Sequence, residues 1–294
     1  MEVALGVPRG VAVIVALAFG LLIGSFLNVV IHRLPRGESI VNPPSHCPRC
    51  ETPVRWYDNI PLLSYLWLRG RCRGCAAPIS LRYPGVELLT GVVFALVAWR
   101  YGVDPMTVLG CAFAAALVAT AFIDFDHQII PDEISLGGLA LALVVAPGVA
   151  WFSGEAFGSA FVRSAIGALL GGGLLWIVAF VHARVCSGFG RRFPHWPDPD
   201  EDFPKPNSLD YWTWFPGLGF GDVKLLAMIG AVLGPWGVLQ TIIAASAAGL
   251  VIGVVGMVLW RRADTPFGFA PAIALGALLA LLAPESFGAF PRIG

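Results

Sequence analysis

The chain has 294 residues, of which 57% are hydrophobic and only 13% are charged, and its mean hydropathy is +0.76. A water-soluble protein of this length needs more charge to cover its surface, so the composition excludes an ordinary soluble domain. The formal net charge is zero, which leaves no bulk electrostatic argument for nucleic acid as a partner. The sequence predicts an all-α polytopic membrane protein in a lipid bilayer.

Runs of roughly 20 apolar residues are long enough to cross a bilayer. About eight such transmembrane helices are predicted, and the turn signal Gly234-Pro235-Trp236-Gly237 separates the sixth from the seventh. We interpret the first as a span and not as a cleavable signal, since no small-residue cleavage pattern follows it. The approximate bounds are Val11–Ile31, Gly85–Tyr101, Met106–Ile123, Ile134–Trp151, Val162–Val185, Val223–Leu239, Thr241–Trp260 and Phe269–Leu282.

Basic residues are distributed unevenly between the connections. The segments Arg33–Arg82, Arg184–Lys224 and Arg261-Arg262 fall on one side of the membrane and hold 15 of the 19 Lys and Arg. The positive-inside rule makes that side cytoplasmic. Asp124 and Asp222 then lie on the same cytoplasmic face.

Two soluble stretches interrupt the apolar segments. Residues 32–84 are rich in Arg, Pro and Cys but too short for a large core, so they need an additional cross-link to stay folded. Residues 186–218 are rich in Pro and acidic side chains, and we expect a loop that Trp196, Trp212 and Trp214 partly order. The predicted domains are a first span (1–31), a small cytoplasmic insert (32–84) and a membrane domain (85–294).

Four cysteines in the insert form two C-x-x-C knuckles, Cys47 with Cys50 and Cys72 with Cys75. Four thiolates in this spacing suit tetrahedral zinc, and a cytoplasmic location disfavours disulfides. The alternative is a set of unpaired or redox cysteines. A closed shell of four sulfur ligands leaves no position for water, so the predicted zinc-knuckle insert is structural and not catalytic.

Two aspartates stand at the ends of apolar helices. Asp124 follows the run ending at Ile123, and Asp222 precedes the run beginning at Leu225. An ionisable group at a membrane boundary is costly, so it is a functional candidate. The C-terminal end of a helix disfavours an anion and the N-terminal end favours one. We therefore predict that Asp222 ionises first and acts as base, while Asp124 keeps a shared proton and acts as acid.

The residues alone also allow other interpretations of these carboxylates. Asp222 can be a helix N-cap, Asp124 a solvated charge, and Asp126 the working acid in place of Asp124. Gly219 and Gly221 lack a Cβ and would let backbone or substrate approach Asp222 closely.

The motifs taken together resemble the type IV prepilin peptidases, a family of membrane aspartic proteases of the GxGD class. The resemblance covers nearly the whole chain. The matching segments, in order, are Gly24–Pro35, the two cysteine knuckles, Asp58–Tyr65, Ile79–Pro84 with Glu87, Ile123–Asp132 and Gly219–Leu226.

The resemblance implies that Asp124 and Asp222, and not Asp126, are the catalytic pair. It implies cleavage of the basic leader of prepilins or pseudopilins after a Gly, at the cytoplasmic face of the bacterial inner membrane. It also implies methylation of the new N-terminus with S-adenosylmethionine, whose binding residues the sequence does not identify.

Two rival functions fit part of the sequence. A proton-coupled transporter would also carry intramembrane carboxylates, but more often near the bilayer midplane and within internal repeats. A non-enzymatic zinc protein for secretion assembly would need the cysteines but not both aspartates.

Overall fold

Helices account for almost all of the regular structure. The computed structural model describes residues 7–193, 196–197, 202–260 and 268–283. Within these ranges no β-strand occurs and the β-type pairings are isolated bridges, so the predicted all-α class is confirmed. The described helices are α1 (Arg9–Arg33), α2 (Leu63–Trp67), α3 (Arg82–Tyr101), α4 (Pro105–His127), α5 (Asp132–Phe152), α6 (Phe157–Gly188), α7 (Asp210–Thr213), α8 (Phe220–Trp260) and α9 (Ala270–Leu282).

Five of the described helices, namely α1, α4, α5, α6 and α8, are long and apolar enough to cross a membrane. The chain is therefore a multi-pass membrane protein, but the predicted count of eight spans is not confirmed. α3 carries Glu87 and Arg100 within its apolar sequence, and α9 has only 13 residues. The sixth and seventh predicted spans form one interrupted element, α8.

The interruption in α8 lies at Gly234, where the turn was predicted. Gly234 has φ 72° and ψ −178°, a conformation outside the helical region. Glycine reaches this left-handed φ without steric cost, and Pro235 lacks the N–H that would continue the helical ladder. α8 therefore consists of two helical segments, and the first leg, as we call the segment before Gly234, begins at Phe220 within the Gly-Phe-Gly-Asp motif.

The chain divides into two compact units between His127 and Gln128. In the first unit, α1 and α3 pack with their backbones close together. A Cβ at Gly20 would lie 2.8 Å from the Cα of Gly91, and a Cβ at Gly24 would lie 2.6 Å from the Cα of Glu87. Small residues are what allow two membrane helices to approach this closely.

In the second unit, α6 packs against the first leg of α8 through glycines on both helices. A Cβ at Gly167 would lie 2.1 Å from the carbonyl oxygen of Gly230, and a Cβ at Gly230 would lie 2.0 Å from the oxygen of Gly167. One turn further along, a Cβ at Gly171 would lie 2.3 Å from the oxygen of Leu226. These contacts fix the register of the two helices.

The insert between α1 and α3 has almost no core of its own. Residues 34–84 bury only three positions, and none of them is a large side chain: Pro61, Gly70 and Ala77. Hydrophobic burial of this extent cannot offset the conformational entropy of ordering about fifty residues. The insert therefore depends on other links, as the sequence predicts.

Candidate active site and metal centre

Asp124 lies in the last turn of α4, the helix that ends at His127. Its residue exposure is only 5%, and the helix buries Thr120 and Ile123 beside it. The position agrees with the predicted location at a C-terminal helix end. A carboxyl group there lies at the negative end of the helix dipole and is largely removed from water.

Asp126 has a different environment from Asp124. Its Oδ2 lies 2.6 Å from Nη1 of Arg82, and both side chains are partly exposed. The same guanidinium stands over the ring of Phe122 and donates from Nη2 to the Phe122 carbonyl oxygen at 3.4 Å. Asp126 is thus held by a specific cation at the surface, whereas the buried carboxylate of this motif is Asp124.

Asp222 lies in the first turn of α8 and is 7% exposed. It is the third residue of the helix, and its backbone N–H donates to the Gly219 carbonyl oxygen at 3.1 Å. The interpretation of Asp222 as an N-cap is therefore wrong, because a cap residue precedes the first helical residue. Asp222 thus lies at the positive end of its helix dipole, whereas Asp124 lies at the negative end of its own.

The two glycines before Asp222 have different surroundings. A Cβ at Gly221 would lie 3.0 Å from the Cβ of Ile130, closer than side chains normally approach. A Cβ at Gly219 would meet mainly the Oδ2 of Asp222, at 3.7 Å. Gly221 therefore permits the loop after α4 to pack on the start of α8, while Gly219 leaves space in front of the carboxylate.

Asp132 and Lys224 form an ion pair that sequence reasoning did not find. Asp132 lies in the first turn of α5, whose N-cap residue is Pro131. The pair connects the start of α5 to the start of α8. Its sequence signal is weak, since 92 positions separate the two charges.

The four cysteine sulfurs of the insert lie within 4.8 Å of one another. The Sγ atoms of Cys47 and Cys75 are 3.8 Å apart, and those of Cys50 and Cys72 are 3.9 Å apart. A tetrahedral zinc with Zn–S bonds of about 2.3 Å needs sulfur–sulfur distances of about 3.8 Å. The predicted ligands therefore fit a tetrahedral metal ion in number, chemistry and spacing.

The two knuckles that present these sulfurs have the same backbone conformation. The N–H of Cys47 donates to the Thr52 oxygen at 3.0 Å, and the N–H of Cys72 donates to the Ala77 oxygen at 2.8 Å. In each knuckle the residue after the second cysteine has a φ of 56°. Two equivalent tight turns thus point their thiols at one centre.

The thiols in this cluster have unequal proton affinities. Hydrogen bonds with Thr52 lower the pKa of Cys50 to about 6. A backbone hydrogen bond at Ala77 lowers the pKa of Cys75. Desolvation and the neighbouring thiols outweigh this effect and raise the pKa to about 11. Four sulfurs at this distance cannot all be anionic without a cation between them, and a metal ion bound here would supply that charge.

An ion pair connects the second knuckle to the rest of the insert. The Nη2 of Arg73 lies 2.6 Å from Oδ1 of Asp58, and its Nε donates to Oδ2 at 2.8 Å. The hydrogen-bonded guanidinium holds the pKa of the Asp58 carboxyl below its usual value. Bidentate geometry of this kind fixes orientation as well as distance.

Residues 189–219 are here called the aromatic loop and precede Asp222, and buried rings in the described part of this loop pack on the end of α6. Trp196 is 1% exposed and is buried with Phe215 against Ala179 and Ala183 of that helix. Its Nε1 donates to the Trp214 oxygen at 3.1 Å. The predicted ordering by tryptophans is confirmed for the described part of the loop, and this packing reaches Phe220, two residues before Asp222.

A second set of contacts holds α7 on α6. The Nε1 of Trp176 donates to the Trp212 oxygen at 2.8 Å, and the two indole rings are stacked. The guanidinium of Arg184 lies 3.8 Å from the ring centre of Tyr211. The described part of the aromatic loop is therefore fixed to α6 by two sets of contacts.

The fold and these residues define a polytopic membrane protein with two buried aspartates at helix ends and a cluster of four thiols that could hold a metal ion. Residues 18–101 match the family described as the bacterial peptidase A24 N-terminal domain. Residues 111–254 match the type IV leader peptidase family. This chain belongs to the type IV leader peptidase family.

Curated relatives match most of the chain. The prepilin leader peptidase/N-methyltransferase of Neisseria gonorrhoeae is 33% identical over 299 residues, which cover 94% of this chain and 92% of the relative. The enzyme of the same name from Aeromonas hydrophila is 35% identical over 319 residues, covering 97% and 95%. That of Myxococcus xanthus is 37% identical over 266 residues, covering 87% and 69%. No solved structure matches the chain.

Proposed function

We propose that this chain is a membrane aspartic endopeptidase that removes the leader of type IV prepilins or pseudopilins and then methylates the new N-terminus. The names of its relatives support both activities. The observation that carries the proposal is the pair of buried aspartates, Asp124 and Asp222, within the region that matches the peptidase family. Burying a carboxylate at a membrane helix end costs free energy, so such a residue usually has a function.

We assign different roles to the two carboxylates because their helix ends differ. Asp222, at a positive helix end, takes a proton from the water that attacks the scissile carbonyl carbon. Asp124, at a negative helix end, donates its proton to the leaving nitrogen as the C–N bond breaks. The products are a carboxylic acid on the leader and an amine on the mature chain. Sharing one proton between two carboxylates is the general device of aspartic proteases.

The membrane setting suits a substrate with a polar leader and an apolar helix. The scissile bond of such a chain, placed after a Gly, lies where the basic leader leaves the bilayer. We place the catalytic residues and the insert at the cytoplasmic face of the bacterial inner membrane, on the basis of the charge asymmetry. The proposed domains are the first span (1–31), the cytoplasmic insert (32–84) and the membrane protease domain (85–294).

Two groups that the chain does not itself contain complete the proposal. Zinc at Cys47, Cys50, Cys72 and Cys75 holds the insert together and leaves no open position for chemistry. S-adenosylmethionine supplies the methyl group in the second reaction, and we assign no residues to its binding. Prepilins or pseudopilins are the proposed substrates.

The test uses purified full-length protein in detergent with a prepilin peptide. Asp124→Asn and Asp222→Asn should each reduce cleavage by about 10²–10⁴-fold, the usual contribution of a general acid or base. Asp126→Asn is the matched control, because it removes a neighbouring carboxylate that Arg82 already pairs, and cleavage should stay within about tenfold of the parent. S-adenosylmethionine in the same tube should add the mass of one methyl group to the mature peptide.

The outcomes separate the proposed enzyme from its rivals. Cleavage at the parent rate by either dyad variant would remove that residue from the mechanism. A parent protein that binds metal and folds but never cleaves would point to a transporter or an assembly protein. Loss of cleavage in the Asp126 variant alone would move the acid role to Asp126.

A further inference from the structure

The short helix α2 of the insert exposes most of its apolar face. Leu63, Leu66 and Trp67 are 64%, 70% and 83% exposed. Their spacing of three and four residues puts them on one side of the helix. Large apolar side chains gathered on an exposed face usually mark an interaction surface.

α2 is fixed in position by a buried carboxylate. The N–H of Leu62, which precedes the helix, donates to Oε2 of Glu87 in α3 at 2.9 Å. Leu62 itself has a φ of 60°, a strained conformation for a residue with a side chain. Such strain persists only where the surrounding contacts determine the conformation. The exposed face is therefore held in place and is not the product of a freely moving segment.

The position of Glu87 gives the depth of this attachment. Glu87 packs on Gly24 of α1 and hydrogen-bonds Ser25 of the same helix. α1 is a candidate membrane span, and Gly24 lies roughly 14 Å along its axis from Arg33. Helical side chains lean toward the N-terminus, so the Glu87 carboxylate points toward the Arg82 end of α3. α2 is thus attached to α3 within about two turns of the Arg82 end, where the insert joins this helix.

The charges around α2 favour a surface of anionic lipid. Residues 32–84 contain eight Arg and only three acidic residues. Arg69 and Arg71 follow α2 directly and are exposed. Basic residues next to a membrane span attract anionic headgroups, and tryptophan prefers the headgroup level of a bilayer.

We propose that α2 is a membrane-surface anchor of the insert. Leu63, Leu66 and Trp67 enter the boundary between headgroups and acyl chains, while Arg69 and Arg71 contact the phosphates of anionic phospholipids. The occupant of this face is the bilayer, because the attachment to Glu87 holds it at that depth. The proposal is independent of the peptidase activity.

The test places the photocrosslinking residue p-benzoylphenylalanine at position 67 of the full-length protein. The protein is put into nanodiscs of phosphatidylethanolamine and phosphatidylglycerol, irradiated, and analysed by mass spectrometry. The expected product carries the mass of one phospholipid. The matched control has the same residue at position 56, since Trp56 is as exposed (80%) but lies outside α2, and its lipid adduct should be at least fivefold weaker.

Two further variants keep the proposal falsifiable. Leu63→Ser with Leu66→Ser should reduce the adduct at position 67 about tenfold, while an unchanged metal content shows that the insert is still folded. Arg69→Gln with Arg71→Gln should remove the preference for phosphatidylglycerol over phosphatidylcholine discs. Absence of a lipid adduct, equal adducts at positions 56 and 67, or crosslinks to a second copy of the chain would each overturn the proposal.

Discussion

The insert (residues 32–84) and the aromatic loop (residues 189–219) both connect apolar helices, yet different interactions hold them in place. The insert joins its parts through four converging sulfurs and the Asp58–Arg73 ion pair. The described part of the aromatic loop is packed on α6 through buried rings, with Trp196 at its centre. The insert depends on polar and metal-binding groups, whereas the aromatic loop depends on apolar packing against α6.

The difference follows from what each segment can bury. The insert contains exposed apolar residues that point away from any protein core, so hydrophobic packing cannot order it. The aromatic loop has a helix beside it that offers Ala179 and Ala183, small residues against which a large ring fits. The two connections should therefore fail under different treatments, and the following experiments separate them in order of decreasing effect.

Removing the metal should have the largest effect, and only on the insert. We expect a chelator, or Cys72→Ser, to unfold residues 32–84, because metal binding contributes about 10–16 kcal/mol in comparable zinc-binding peptides. Limited proteolysis and metal analysis would detect the change. The aromatic loop should keep its protection from proteolysis.

Cys111→Ala provides the control for this experiment, since Cys111 lies in α4 outside the sulfur cluster. It should retain the metal and an intact insert. An insert that stays protected after complete metal removal would show that it is held by other contacts.

Removing the central ring of the aromatic loop should have the second largest effect. Trp196→Ala leaves a cavity against α6 and should cost about 3–5 kcal/mol of local stability. Hydrogen exchange should become faster in residues 203–219, and cleavage should weaken because Asp222 follows this segment directly. Trp56→Ala removes an exposed ring and should change neither measurement. Metal loss in the Trp196 variant would contradict the separation of the two connections.

A single hydrogen bond should matter less than the whole ring. Trp176→Phe keeps an aromatic ring on α6 but removes the Nε1 donor to the Trp212 oxygen. The expected loss is about 1 kcal/mol, seen as faster exchange confined to residues 210–214. Exchange that also rises around Phe215 would show that the two sets of loop contacts are coupled.

The Asp58–Arg73 ion pair of the insert should give the smallest effect. Asp58→Asn should weaken metal retention only a few-fold, because the Arg73 side chain is 46% exposed and solvent screens the pair. The pKa of Asp58 is depressed in the folded insert, so the stabilisation is present above the ordinary Asp pKa and is lost only as pH falls through the depressed value. The ratio between parent and variant should therefore be constant from pH 5.5 to 7.5, and a ratio that changes in this window would contradict the assignment.

Local patterns in the sequence anticipated much of this structure. Apolar runs located the helices, Gly234-Pro235 located the break in α8, and the C-x-x-C spacing located the sulfur cluster. These features depend on residues close together in the chain. The end of a helix is also marked by neighbouring residues, which is why the positions of Asp124 and Asp222 at helix ends could be predicted.

Features that depend on distant residues were not predictable. The pairing of Arg82 with Asp126, and of Lys224 with Asp132, requires knowledge of how helices pack, and no periodicity encodes it. The exposure of Trp67 is a similar case, because the sequence alone gives an apolar residue no direction. The predicted number of eight spans is also not confirmed, since among the described helices only five are long and apolar enough to cross a membrane.

The glycine contact between α6 and α8 restricts how this protein can evolve. Each glycine faces a backbone carbonyl, about 2 Å from where a methyl group would stand, and every amino acid possesses that carbonyl. A larger residue at Gly167 or Gly230 therefore cannot be rescued by any substitution on the opposite helix. Neither helix can therefore accept a larger residue at this contact. The contact also keeps the position of Asp222 along α6 unchanged as the sequence evolves.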